Sequence, residues 1–178
     1  MQQITFKLDD LFQKIDTNTL KCKVGDCPKV PDGVYVLPAL TAGIANQGLS
    51  CYVPRENATI LRNCISVSAN GANSGAMFYQ PYEFTVLQDA YAITLKYAQL
   101  NEYIALYLVG IMQKVIRGNY DWSNKAGWER IKDLTIQVPT TDGTTPDYQY
   151  MGQYMRQHEQ ALLGDIKTYI DDAFRSAS

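Results

Sequence analysis

The run from Arg117 to Lys125 crowds cations, amides and aromatic rings together: Arg117, Asn119, Tyr120, Trp122, Ser123, Asn124 and Lys125. It carries no apolar periodicity. Planar forks such as those of Arg and Asn hydrogen-bond two atoms of a base edge at once, and cations neutralise phosphates. The chemistry open to this run is therefore polar recognition of a nucleic acid rather than bond making. A second set, Asn46, Gln47, Asn70, Asn73 and Ser74, sits in glycine-punctuated turns, where a backbone can approach a ligand closely. Lys21 and Lys23 lie in a polar stretch with Gly25 and Pro28 and suit phosphate contact. A solvated surface accounts for the same residues without any ligand, and turn chemistry alone explains Asn beside Gly.

Catalysis finds little to work with. The single histidine, His158, falls near the apolar stripe of a helical pattern, where it reads as a packing or interface residue. Ser and Cys are present, but no second histidine is available to activate a nucleophile in the usual way. The acidic pairs Asp9-Asp10 and Asp171-Asp172 are chain neighbours, which do not share a helix face. Gly71-Ala72-Asn73-Ser74-Gly75 lacks the Gly-Lys-Ser/Thr of a phosphate-binding loop and reads as a tight turn. Cys22, Cys27, Cys51 and Cys64 lack the close pairing of zinc knuckles. Free thiols are the reading, with zinc and disulfides as alternatives. No metal and no cofactor is expected.

These residues need elements to hold them. Leu8, Leu11, Phe12 and Ile15 predict a short amphipathic helix over 8–15. Residues 17–33 are polar and Gly/Pro-punctuated, and predict a long loop. Short β-type runs follow at 34–37, 64–68, 76–79 and 90–95, and a last one at 134–138 that Pro139 ends. Ile104, Leu108, Ile111, Met112 and Val115 make residues 101–117 the strongest helix, with Gly118 as its stop. Residues 119–129 read as a polar, aromatic loop. Thr145 is placed as the cap of a final helix with Pro146 in its first position. That helix carries the stripe Met151, Met155, Leu162, Ile166, Ile170 and Ala173. It is too long to be covered by a domain of this size, so part of it is expected to project and meet a partner.

The whole chain is 178 residues with 46% hydrophobic and 19% charged residues, which suits one folded domain with a helical appendage. The longest apolar run, Tyr103 to Met112, falls well short of a membrane span, and the amino terminus has no signal-peptide pattern. With free thiols, this places the chain in the cytoplasm. The net charge of −2 speaks mildly against nucleic acid. The acids are unevenly spread, however: Asp142, Asp147, Glu159, Asp165, Asp171 and Asp172 outnumber Arg156, Lys167 and Arg175 in the last segment. Basic residues gather instead around Lys21, Lys23 and Lys29 and around Arg117, Lys125, Arg130 and Lys132. Thirteen tyrosines suit a chain that presents amphipathic surface to a partner.

Taken in order, the motifs resemble a known family. Leu8-Asp9-Asp10-Leu11-Phe12 is similar to the opening of the target-recognition domains of type I restriction-modification specificity subunits. The segment from Pro38 to Gly48 is similar to the family's early strand and Asn/Gly-rich turn. Ile65 to Gly71, followed by Gly75 to Pro81, resembles its central glycine segment. Leu100 to Tyr107 matches the start of its helix, Trp128 to Pro139 its strand ending in proline, and Asp142-Gly143 with Pro146-Asp147-Tyr148 the lead into its conserved helix. The likeness covers nearly the whole chain. Full specificity subunits carry two such units in tandem and this chain holds one, as a half-subunit, an excised domain or a truncation would.

The resemblance implies a non-catalytic reader of double-stranded DNA. Each such domain recognises one half of a split target, while helices hold the methyltransferase subunit and the restriction subunit. It also implies that Lys125 lies in a loop facing DNA. A protein-interaction module with a tyrosine-rich interface is the alternative, and a small hydrolase with an unrecognised site is a distant third. The expected fold is α+β: a mixed, twisted β-sheet with packed helices and a long C-terminal helix that extends for coiled-coil assembly. Residues 1–139 form the reading domain and 145–178 the assembly helix, through which two copies can pair as a homodimer.

Overall fold

The structure is a computed structural model and describes residues 2–176. Distant stretches of the chain meet at once: β1 (Gln2–Lys7) pairs antiparallel with β9 (Thr135–Thr140), with Ile4 opposite Val138. Pro139 does not end β9 but lies inside it. Its missing N–H is harmless there because β9 pairs on one side only, with β1.

The helix expected over 8–15 is a single turn, α1 (Leu8–Leu11), and Phe12–Lys14 is a strand, β2. The apolar spacing fits both forms. Fully buried Phe12 decides it, because pairing opposite Leu95 completes a sheet edge that one more helical turn would leave open. That sheet runs in the order β2, β8 (Ala90–Leu95), β5 (Cys64–Ser68), β6 (Met77–Gln80), antiparallel throughout. Across it lies α2 (Glu102–Ile116), whose amino end is capped by the Asn101 side chain accepting the Ile104 N–H at 3.0 Å. Ile104, Leu108, Met112 and Ile116 face Ile65, Val67, Met77 and Ile93 in the main core. Each such side chain contributes about 1.5–3 kcal/mol on burial.

A second sheet holds β4 (Leu49–Pro54), β3 (Tyr35–Leu40) and β7 (Thr85–Val86), with β3 antiparallel to β4 and parallel to β7. Its core is Leu37, Ala39, Cys51 and Val53, which Cys27 from the long loop joins. The α+β class holds, but the strands divide among three small sheets rather than one. Register shifts in β3, between Tyr35 and Leu37 and again between Ala39 and Leu40, bend that sheet away from a continuous ladder. The loop expected over 119–129 gives way to a short helix, α3 (Trp128–Ile131), which buries Trp128 and Ile131.

The last helix, α4 (Tyr148–Ser176), spans 29 residues, about 44 Å. Its cap is Asp147, whose carboxylate accepts the Tyr150 N–H at 2.8 Å, and not Thr145. The Thr145 N–H is taken by Asp142, which also accepts the Thr144 N–H, and these bonds hold the Asp142 carboxyl far below the usual range. The first turns of α4 pack on α2. Met151 is fully buried, Gly152 lies against Ile104, Tyr107 and Tyr154 meet edge to face at 5.7 Å, and Tyr103 donates to Glu159 at 2.7 Å. Beyond them Leu162, Ile166 and Ile170 are about half exposed or more, along with Leu163 and Tyr169. The predicted stripe thus splits. Met151 belongs to the domain's own core, Met155 is half-buried, and the rest, through Ala173, is exposed.

Candidate nucleic-acid interface

A furrow crosses the face where the two larger sheets meet. One end, a cleft of about 670 Å³, is lined by Lys14, Lys23, Thr41, Gln88 and Asp89 among others. Asp89 also lines the adjoining cleft, with Ala42, Gly43, Asn70, Gly71, Asn73 and Trp122. A third recess shares Thr41 and Asn73 and runs under the turn Ala45–Gly48. Shared walls make the three continuous. Residues far apart in the chain, in β2, the 17–33 loop, the glycine turn and the Trp122 loop, therefore line one surface.

Local bonding rigidifies its rims. In the glycine turn, Asn70 gives its amide to Asp89 Oδ1 at 3.0 Å and accepts the Gly71 N–H at 2.9 Å. Ser74 is buried, and both sides of its hydroxyl are used: it donates to the Ala69 carbonyl and accepts the Ala126 N–H. Ser74 therefore holds two loops together beneath the surface. Gly75 is required by geometry: with φ at +86°, a Cβ there would stand 2.5 Å from Ile116 Cγ2.

The Trp122 loop is built on Asp121. Its carboxylate accepts the Ser123 hydroxyl and the N–H groups of Ser123 and Asn124, and these bonds hold it below the usual carboxylate range. Asn124 is spent on Arg130 and on the Asn119 carbonyl, Asn119 on the Val115 carbonyl, and Ser123 on Asp121. Tyr120 packs on the main core. These four shape the loop. What the loop presents is Trp122, 71% exposed with its ring edge over Gly71, together with exposed Lys125 and Arg117. The Ala126 carbonyl is fixed from below by the buried Tyr91 hydroxyl at 2.9 Å. Burial pushes the Tyr91 phenol well up, so it stays a donor.

Asn46 and Gln47 are exposed and both have positive φ, at 47° and 55°. Few residues other than Gly adopt this conformation, Asn more readily than Gln, and both side chains lie exposed on the turn. Lys23 reaches the furrow, whereas Lys21 lines only the neighbouring cavity with Cys22, Cys27 and Glu56. The basic clusters thin out: Lys29 is bound to the Ser50 carbonyl, Arg130 to Asn124 and Lys132 to Glu129. Among the described residues, Arg117, Lys125, Lys21 and Lys23 enter no side-chain hydrogen bond or ion pair. Sequence reasoning missed Lys14, which stands over the Tyr91 ring at 5.7 Å, and the turn of Gln88 and Asp89. Lys14 was hidden by its assignment to a helix.

No cluster of His, Cys, Asp and Glu among the described residues is arranged to hold a metal ion, and no described helix is long and apolar enough to cross a membrane. His158 lies on α4 with its ring 4.5 Å from that of Tyr154, away from the furrow.

A family profile described as the type I restriction modification DNA specificity domain matches residues 3–168. The specificity subunit S.BcgI of the type II restriction enzyme BgcI from Heyndrickxia coagulans is 29% identical over 160 residues, covering 89% of this chain and 44% of that protein. The fold matches the S subunit of a type I restriction-modification system from M. genitalium at a TM-score of 0.60 and 17% identity, over 94% of this chain and 41% of that one. It also matches the HsdS subunit from Thermoanaerobacter tengcongensis at a TM-score of 0.53 and 11% identity, over 93% of this chain and 39% of that one. The chain spans less than half the length of these relatives. With the profile covering nearly all of it, the chain belongs to the family of type I restriction modification DNA specificity domains.

Proposed function

We propose that this chain is the DNA-reading part of a restriction-modification specificity component, itself without catalytic activity. One observation supports this above the others: the furrow is lined by the cations Lys14 and Lys23 and by the amides Asn70 and Asn73, and the loop that carries Trp122 into it also holds the exposed cations Arg117 and Lys125. The cations attract phosphates, and the amides Asn46, Gln47 and Asn73 have free donors and acceptors for base edges. Asn70 keeps the turn in place, and Lys21 adds charge beside the entrance. In this reading the furrow takes one half of a split target in double-stranded DNA, in the cytoplasm.

Assembly falls to α4. Residues 1–139 act as the reading head and the segment 145–178, which contains α4, as the assembly element, anchored through Met151. The exposed face of Leu162, Ile166, Ile170 and Ala173 suits a second recognition unit packed antiparallel, most simply a second copy of this chain. Relatives about twice as long, of which this chain matches under half, fit that arrangement. A methyltransferase subunit, and with it a restriction subunit, docks on the completed pair. The tyrosine-interface alternative loses support because Tyr103, Tyr107, Tyr150 and Tyr154 are engaged between or along α2 and α4.

Salt dependence tests the reading. With about five cations at phosphates, the log–log slope of affinity against salt should be about −4.5. An affinity for duplex DNA that does not change between low and physiological salt overturns it.

A further inference from the structure

Gln88 lines the larger cleft of the furrow, next to Asp89, which the adjoining cleft shares, at the turn between β7 and β8. Its backbone surroundings are fixed from several directions. The Leu87 N–H donates to Leu40 O at 2.8 Å, and Thr41 Oγ1 donates to Gln88 O at 2.6 Å. The Ala69 N–H donates to Asp89 O at 2.8 Å, and Asn70 Nδ2 donates to Asp89 Oδ1 at 3.0 Å. Asp89 closes the turn with φ at 68°. Strand β3, the glycine turn and the end of β5 therefore all hold the Gln88 backbone, while its exposed side chain enters no hydrogen bond among the described residues.

Other amides nearby are committed. Asn70 is bound to Asp89, Gln80 to Ser66 and the Gln47 carbonyl, and Asn18 to the Asn57 carbonyl. Asn73 is free but shorter and half-buried. Gln88 thus offers a long, unspent carboxamide in the wall of the furrow, on a pre-ordered backbone, between the Lys14/Lys23 end and Trp122. A carboxamide so placed matches the adjacent donor and acceptor of an adenine major-groove edge, N6–H and N7.

We infer that Gln88 is a specificity-determining residue that reads one base pair of the target through a bidentate contact to adenine. This rests on the DNA-reading function proposed above.

The test is selection from randomised duplex DNA by the full chain, and by its Q88A and Q88E variants, with affinities measured on the selected site. Wild type should select a short motif containing an adenine that Q88A no longer requires. On that site Q88A should lose about tenfold to hundredfold in affinity. Its salt slope, non-specific affinity and melting temperature should match wild type. Q88E should shift the preference at that one position toward cytosine, whose N4 donates to a carboxylate. Replacing the selected adenine with 7-deazaadenine should weaken wild type and leave Q88A unaffected. If Q88A selects the unaltered motif, the inference is wrong while DNA reading stands. If wild type selects no motif and shows no salt-dependent binding, both fail.

Discussion

Ser74 and Ala126 lie in different loops, yet the Ser74 hydroxyl accepts the Ala126 N–H at 2.9 Å while giving its own proton to the Ala69 carbonyl at 3.1 Å. One buried oxygen thereby ties the glycine turn to the base of the Trp122 loop, and Tyr91 secures the other side of the same residue at the Ala126 carbonyl. Ser74→Ala leaves a buried N–H without a partner, a loss of about 1–3 kcal/mol. Thermal unfolding should show a fall of about 2–4 °C for each kcal/mol lost, and DNA affinity should fall with it although Ser74 is buried. An unchanged melting temperature would show that the bond carries no load.

Gly75→Ala should be worse. The added Cβ meets Ile116 Cγ2 at 2.5 Å and the backbone is held at φ +86°. Steric overlap and left-handed strain add together, so the loss should exceed that of Ser74→Ala in the same melting experiment.

Lys125→Ala should lower affinity for every duplex, cognate or not, and reduce the salt slope by about one unit. Lys125 is exposed and unpaired, so stability should not change. Titration by fluorescence anisotropy at several salt concentrations reads both quantities.

Trp122 is 71% exposed and Trp128 only 9%, and the chain has no other tryptophan. Binding of duplex DNA should quench and blue-shift the exposed indole and leave the buried one silent. Trp122→Phe should abolish most of the signal. A DNA-dependent change that persists in Trp122→Phe would move the contact elsewhere.

On α4, Leu162→Asp with Ile166→Asp should leave the melting temperature close to wild type and abolish self-association by light scattering. Met151→Asp should unfold the domain, since that side chain is fully buried among α2 and β9 residues. A wild-type chain that stays monomeric at tens of micromolar contradicts the pairing of two copies.

Much of this was legible in the sequence, and the gaps have physical causes. Strands 64–68 and 90–95 and helix α2 lie where their apolar residues predict, because helix α2 packs one face of those strands into the main core while Cys64 and Ala92 fill a second cluster on the other face. Phe12 escaped because its spacing from Leu8 serves a helix and a helix-to-strand switch alike, and only pairing with Leu95 chooses. The polar, aromatic character of the Trp122 loop was visible from composition. Composition does not tell Asn124, spent on Arg130, from a free amide, nor a buried Ser74 from an exposed one. Gln88 stood in an unremarked turn because nothing local announces that Thr41, Ala69 and Asn70 converge on it.

The central claim, that the furrow reads DNA sequence, is tested most directly by selecting bound duplexes from a randomised pool with the full chain. The account predicts enrichment of one short motif, repeated as an interrupted palindrome when two copies pair, and loss of that enrichment when Lys125 and Asn73 are replaced by Ala. Binding without enrichment of any motif, or a motif that survives those replacements unaltered, would contradict it.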